Sequence, residues 1–80
     1  MSRLTDRMAL AKVILSELKR QELSRTELEK KTITKAGISA ATFENIFRYL
    51  TQSGYVQKNS IEHRAKYVLT DKGAKLIDAL

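Results

Sequence analysis

Residues 24–56 read SRTELEKKTITKAGISAATFENIFRYLTQSGYV. Two helix starts and two helix stops are legible in this stretch. Ser24-Arg-Thr-Glu27 is a capping box, in which the Ser hydroxyl accepts from the Glu27 N–H and the Glu carboxylate reaches back to the Ser N–H. It opens a short helix over about 24–32, with Leu23 and Leu28 at the spacing of a hydrophobic staple. Gly37 takes a positive φ without steric cost, so Thr34–Ile38 reads as a turn. Ser39 then caps a further helix over about 40–53. Its apolar residues Phe43, Ile46, Phe47 and Leu50 fall within about 120° of arc, which is a core-facing stripe. The opposite face presents Ala41, Asn45, Arg48 and Gln52, flanked by Thr42, Glu44 and Tyr49. Gly54 closes the helix as the residue beyond its cap.

Upstream, Met8, Ala11, Ile14, Leu15 and Leu18 recur at three- and four-residue steps and predict a helix over about 5–20, started by Thr5 or Asp6. Leu10 and Val13 fall off that stripe, as scattered surface residues or as part of a second contact face. Downstream, Tyr55–Lys58 and Lys66–Leu69 are rich in aromatic and β-branched residues and read as the strands of a hairpin spanning about 55–69. Asn59–Ala65 forms its polar loop. Thr70 caps a last helix over about 71–80 that carries Leu76, Ile77 and Leu80 on one side. The order is three helices, a β-hairpin and a fourth helix, an α+β fold that is mostly α, in one domain over residues 1–80.

Composition narrows the function. The chain has 80 residues, 42% hydrophobic and 30% charged, a globular profile too short for a core and a deep catalytic cavity together. It contains no cysteine, so disulfides, thiolate metal sites and cysteine nucleophiles are excluded. No apolar run approaches the ~20 residues of a membrane span, and the N-terminal segment lacks the pattern of a secretory signal. No paired carboxylates, histidine-based triad or phosphate-cradling glycine loop is visible, so the expectation is a non-enzyme without metal or cofactor. The net charge is +6, and its distribution is uneven. Residues 30–66 hold Lys30, Lys31, Lys35, Arg48, Lys58, Arg64 and Lys66 against only Glu44 and Glu62. A positive excess concentrated in mid-chain points to a polyanionic partner.

Three stretches together resemble the winged helix-turn-helix DNA-binding domains, particularly the small archaeal (viral or plasmid-like) and MarR/PadR-like kinds. The first is Ser24–Leu50, with its two capped helices and glycine turn. The second, Leu50-Thr-Gln-Ser-Gly54-Tyr-Val56, is similar to the family's L-x-x-x-G-hydrophobic-V exit from the recognition helix. The third, Tyr67-Val-Leu69-Thr70-Asp-Lys72-Gly73-Ala-Lys-Leu76, is similar to the Y-x-L-T-x-K-G-x-x-L that closes the wing and starts the last helix. The resemblance implies that the helix over about 40–53 lies in a major groove about 12 Å wide, with the hairpin on the backbone or in the minor groove.

Each candidate contact has a bland counterpart. Arg48 is suited to guanine O6/N7 or a phosphate, Asn45 to adenine, Ala41 to a thymine methyl and Gln52 to the backbone; the alternative is a solvated helix face. Glu44 repels phosphates, so it either accepts from cytosine N4 or turns toward Arg48 one helical turn on. Ser39 and Thr42 sit at a helix N-terminus suited to anions, although Ser39 is needed as the cap. Lys35, with Lys30 and Lys31, either offsets the dipole at a helix C-terminus or meets phosphates. Arg64 and Lys66, with Lys58 and His63, mark the hairpin, and a loop polar for solubility alone is their counterpart. A lone histidine there reads as a surface residue. Phe43, Phe47, Tyr55 and Tyr67 read as packing residues and not as stacking platforms.

The leading expectation is a cytoplasmic, sequence-preferring double-stranded DNA-binding regulator that acts by occupying a promoter. Two alternatives are a winged-helix protein-interaction module and a non-specific architectural DNA binder. A homodimer through the first and last helices is expected, with half-sites about 34 Å apart or multiples of that.

Overall fold

The structure is a computed structural model that describes residues 3–62 and 64–80; His63 lies outside the described residues. Its elements are α1 (Arg3–Arg20), α2 (Arg25–Ala36), α3 (Ala40–Gln52), β1 (Val56–Lys58), β2 (Tyr67–Leu69) and α4 (Asp71–Ala79). The element order is the one expected from the sequence. α1 begins at Arg3, two residues ahead of the expected start, because nothing between Arg3 and Asp6 opposes helix: there is no Gly or Pro, and Arg and Leu are good formers.

α2 continues to Ala36, past the Thr32 expected from the sequence. Thr and Ile lower helix propensity only slightly, so the segment continues until Gly37 stops it. There φ is 65° and the Gly37 N–H donates to the Ile33 carbonyl, an αL cap. The capping box at its start is complete: Ser24 Oγ accepts from Glu27 N–H at 3.2 Å, and Glu27 Oε1 accepts from Ser24 N–H at 3.1 Å. Those bonds hold the exposed Glu27 carboxyl below the usual carboxylate range.

α3 ends at Gln52 in a Schellman motif. The Tyr55 N–H donates to the Leu50 carbonyl at 2.9 Å and the Gly54 N–H to the Thr51 carbonyl at 3.2 Å, with Gly54 at φ 83°. Tyr55 is thereby committed to the helix exit, which is why β1 starts at Val56 and not at Tyr55. β1 and β2 pair antiparallel, with Val56 opposite Leu69 and Lys58 opposite Tyr67. The Asn59 N–H donates to the Lys66 carbonyl and extends the hairpin beyond the strands proper.

The core is where these elements converge. Phe43, Ile14, Leu15, Leu28, Leu50 and Val56 are fully buried, and Leu23, Ile46 and Phe47 join them. Each large side chain contributes about 1.5–3 kcal/mol by leaving water. Phe43 and Phe47 stack at 5.3 Å, and Tyr67 meets Phe47 edge-on at 4.9 Å. Leu76 and Ile77 of α4 pack against this core, and α4 lies along α1.

One contact was not legible in the sequence. Leu23 forms a single β-bridge with Tyr67, its carbonyl accepting the Tyr67 N–H at 2.7 Å. Asn59 Nδ2 adds a bond of 2.8 Å to Glu22 Oε1. The α1–α2 connection therefore adds a one-residue strand beside β2, and it anchors the hairpin to the helical body.

Glu17 on α1 is buried, and its carboxylate takes a 2.5 Å hydrogen bond from Lys35 Nζ, with Arg20 at 3.9 Å. The Lys35 ammonium holds the Glu17 carboxyl below its ordinary value of 4.5, against the opposing effect of burial. A carboxylate depressed in the folded state stabilises above its unfolded pKa, and that stability is lost as pH falls through the folded value. The denaturant midpoint is expected to drop below about pH 4.5 partly for this reason. Lys35→Ala removes the main partner of a buried carboxylate. It is expected to cost about 2 kcal/mol at pH 7 and to flatten the acid dependence between pH 3 and 6. An undiminished acid dependence in urea titrations of this variant would contradict the assignment.

Candidate nucleic-acid interface

The turn at Gly37 and the Ser39 cap start α3, which packs one face on the core and leaves the other open. Ser39 Oγ accepts from the Thr42 N–H at 3.2 Å and lies 3.1 Å from Thr42 Oγ1. Ser39 is thus engaged as a cap, and Thr42 is half-buried beside it. Ala41, Asn45, Arg48 and Gln52 are all exposed along the face opposite the buried stripe. None of the four is covered by the chain's own fold.

The two flanks of α3 differ. On one side, Ile46 and Tyr49 border a shallow apolar groove against Met8 and Ala11 of α1. On the other, α3 and the hairpin enclose a crevice floored by Phe47, Val56 and Tyr67 and rimmed by Arg25, Arg48 and Lys58. Arg48 and the first hairpin strand therefore face a common space. Glu44 stands in that crevice, paired with Arg25 and, at 3.8 Å, with Arg48. In the chain alone Glu44 is thus turned toward Arg48, with Arg25 as its nearer partner.

Arg25 was not singled out in the sequence. A signal was present, since a cation in the first turn of a helix opposes the macrodipole and calls for another partner. That partner is Glu44, and the guanidinium also lies 6.0 Å from the Phe47 ring centroid. Lys58 lies 6.0 Å from the Tyr67 ring centroid. Lys35, read as a backbone contact, has its ammonium on Glu17. Arg64 and Lys66 are exposed on the hairpin, and Lys66 lies within electrostatic reach of Glu27. Among the described residues there is no cluster of three side chains able to hold a metal ion, and no helix is long and apolar enough to cross a membrane.

The Thr70-Asp-Lys-Gly73 stretch ties α4 to the exit from α3. Thr70 Oγ1 donates to the Gly54 carbonyl at 2.7 Å and accepts from the Gly73 N–H at 3.0 Å. Lys72 Nζ donates to the Ser53 carbonyl at 2.7 Å and sits 4.8 Å from the Tyr55 ring centroid. A motif read only as a resemblance thus has a mechanical role, which is to fasten the end of α3 and the root of the hairpin.

Residues 6–80 match a family model described as winged helix-turn-helix. The chain belongs to the winged helix-turn-helix family. α2 and α3 are its helix-turn-helix, and the hairpin is its wing. A solved structure of a transcriptional regulator from Clostridium thermocellum is similar to this winged helix-turn-helix chain, with a TM-score of 0.74 and 24% identity over 99% of this chain and 82% of that one. At that identity the likeness is one of fold. No protein of curated function matches the sequence.

Proposed function

We propose that this winged helix-turn-helix protein is a sequence-preferring double-stranded DNA-binding regulator that works in the cytoplasm by occupying promoter DNA. The observation that carries the reading is the shared crevice of Arg48 and Lys58 beside an open polar face on α3. A helix presented this way fits a major groove, with the wing meeting the flanking backbone or minor groove. Arg48 and Asn45 are the base readers, Ala41 contacts a thymine methyl, and Thr42 and Gln52 reach the backbone. Arg64 and Lys66 act from the wing. Ser39 serves as the cap that aims the helix, and Lys35 acts through Glu17 to hold the turn. The similarity in fold to a transcriptional regulator supports the regulatory role. The role is binding and not catalysis, and it requires no cofactor.

A homodimer through α1 and α4 completes the proposal. Met8 of α1, beside its shallow groove with α3, and the exposed Leu80 at the end of α4 leave apolar surface for a second copy. Two-fold symmetry then predicts an inverted-repeat site with half-sites about 34 Å apart or multiples of that.

Selection from random duplexes at two salt concentrations tests the reading. A recovered motif is expected. Salt-sensitive binding without a motif would indicate an architectural binder, and no binding a protein-interaction module. Arg48→Ala is expected to weaken the selected duplex by about 1–3 kcal/mol and to relax preference at one base pair, with far less effect on unrelated duplexes. An unchanged affinity and preference, measured by fluorescence anisotropy, would remove Arg48 from the base-reading set.

A further inference from the structure

α3 carries a single acidic residue, and it is not on the rim of the interface. Glu44 sits between two guanidinium groups, Arg25 from the first turn of α2 and Arg48 one helical turn along α3. All three line the crevice between the recognition helix and the wing. Their side chains are partly exposed, at 46% for Arg25, 37% for Glu44 and 59% for Arg48, so the cluster is open to a docking duplex.

We infer that Glu44 is a specificity-determining residue that suppresses non-specific binding, by neutralising Arg25 and Arg48 and by repelling phosphates from the recognition face. The inference rests on the DNA-binding reading above. An unrelated duplex offers this surface mainly phosphates, and a carboxylate beside the two arginines weakens that attraction. A matching site offers Arg48 a bidentate base acceptor instead, such as guanine O6/N7, which replaces the Glu44 oxygen in kind. Arg25 stays on Glu44 when Arg48 leaves, so the carboxylate is not stranded without a cation. Glu44 thus weakens unrelated complexes more than matched ones. The orientation is also favourable in the free protein, because Glu four residues before Arg is the better arrangement on a helix.

The test compares Glu44→Gln with Asp78→Asn, which makes the same change of net charge at an exposed position on α4; sedimentation first establishes that both variants keep the oligomeric state of the unmodified protein. Affinity for a random-sequence duplex and for the selected duplex is measured across a salt series. Glu44→Gln is expected to raise random-duplex affinity on the order of tenfold at 50 mM salt. It also steepens the salt slope by about one to two, as one or two arginines become available to phosphates. The ratio of selected to random affinity falls. Asp78→Asn is expected to change each quantity less than about twofold, as a charge change distant from the contacts. Equal behaviour of the two variants, or an undiminished ratio in Glu44→Gln, overturns the inference while leaving the DNA reading intact. No duplex binding by the unmodified protein overturns both.

Discussion

Gly73→Ala is expected to lower the melting temperature by about 10 °C. Gly73 is buried at the first turn of α4, where the helix abuts the start of the wing. A Cβ there would lie 2.7 Å from Leu69 Cδ1 and 3.2 Å from the Tyr55 carbonyl carbon, and it would clash with the Tyr55 oxygen. That oxygen accepts the Thr70 N–H at 3.1 Å, so it cannot retreat without loosening the cap of α4. Ala would gain up to about 1 kcal/mol of helix propensity. Overpacking against a backbone group costs about 3 kcal/mol, so the net is a loss of about 2 kcal/mol. For a domain of this size each kcal/mol shifts the midpoint about 4–8 °C. Thermal unfolding followed by circular dichroism reads the change. A midpoint equal to or above that of the unmodified protein would mean that α4 does not seat against Tyr55 as described.

Duplex affinity is expected to fall on the order of several hundredfold per subunit between 50 and 200 mM salt. The reasoning is a count of cations. Lys30, Lys31, Lys58, Arg64 and Lys66 are all exposed on the helix-turn-helix and wing. If these five meet phosphates, the slope of log K against log salt is about −4 to −5 per subunit. Lys35 is left out because Glu17 holds it. A dimer engaging both half-sites would show about twice the slope. A slope near zero would mean that the positive excess in the middle of the chain serves solubility and not binding.

Much of the fold is legible in the sequence where structure is decided locally. The Ser24 capping box, the Gly37 turn, the Ser39 and Thr70 caps and the Phe43–Leu50 stripe each depend on neighbours within a few residues. The Leu23–Tyr67 bridge does not, because a one-residue strand has no alternation to display and its partner lies across the whole helix-turn-helix. The same limit explains the side-chain pairs. Lys35 looks like a free cation until α1 brings Glu17 beneath it. Arg25 looks like an ordinary surface residue until α2 and α3 cross and bring Glu44 beside it. The exposed face of α3 was readable because a helical period assigns both its faces at once. Which edge of that face turns to the wing was not, since it depends on how α3 and the hairpin pack around Phe47 and Val56.

The central claim is that the open face of the recognition helix and the wing form one DNA-binding surface. The most direct measurement is an NMR titration of isotope-labelled protein with a duplex, read at the backbone amides. The account predicts that the largest shifts fall on Ala41, Asn45, Arg48 and Gln52 together with Lys58, Arg64 and Lys66, while the amides of α4 stay largely unmoved. Shifts confined to α1 and α4, or to the wing with α3 unchanged, would contradict it.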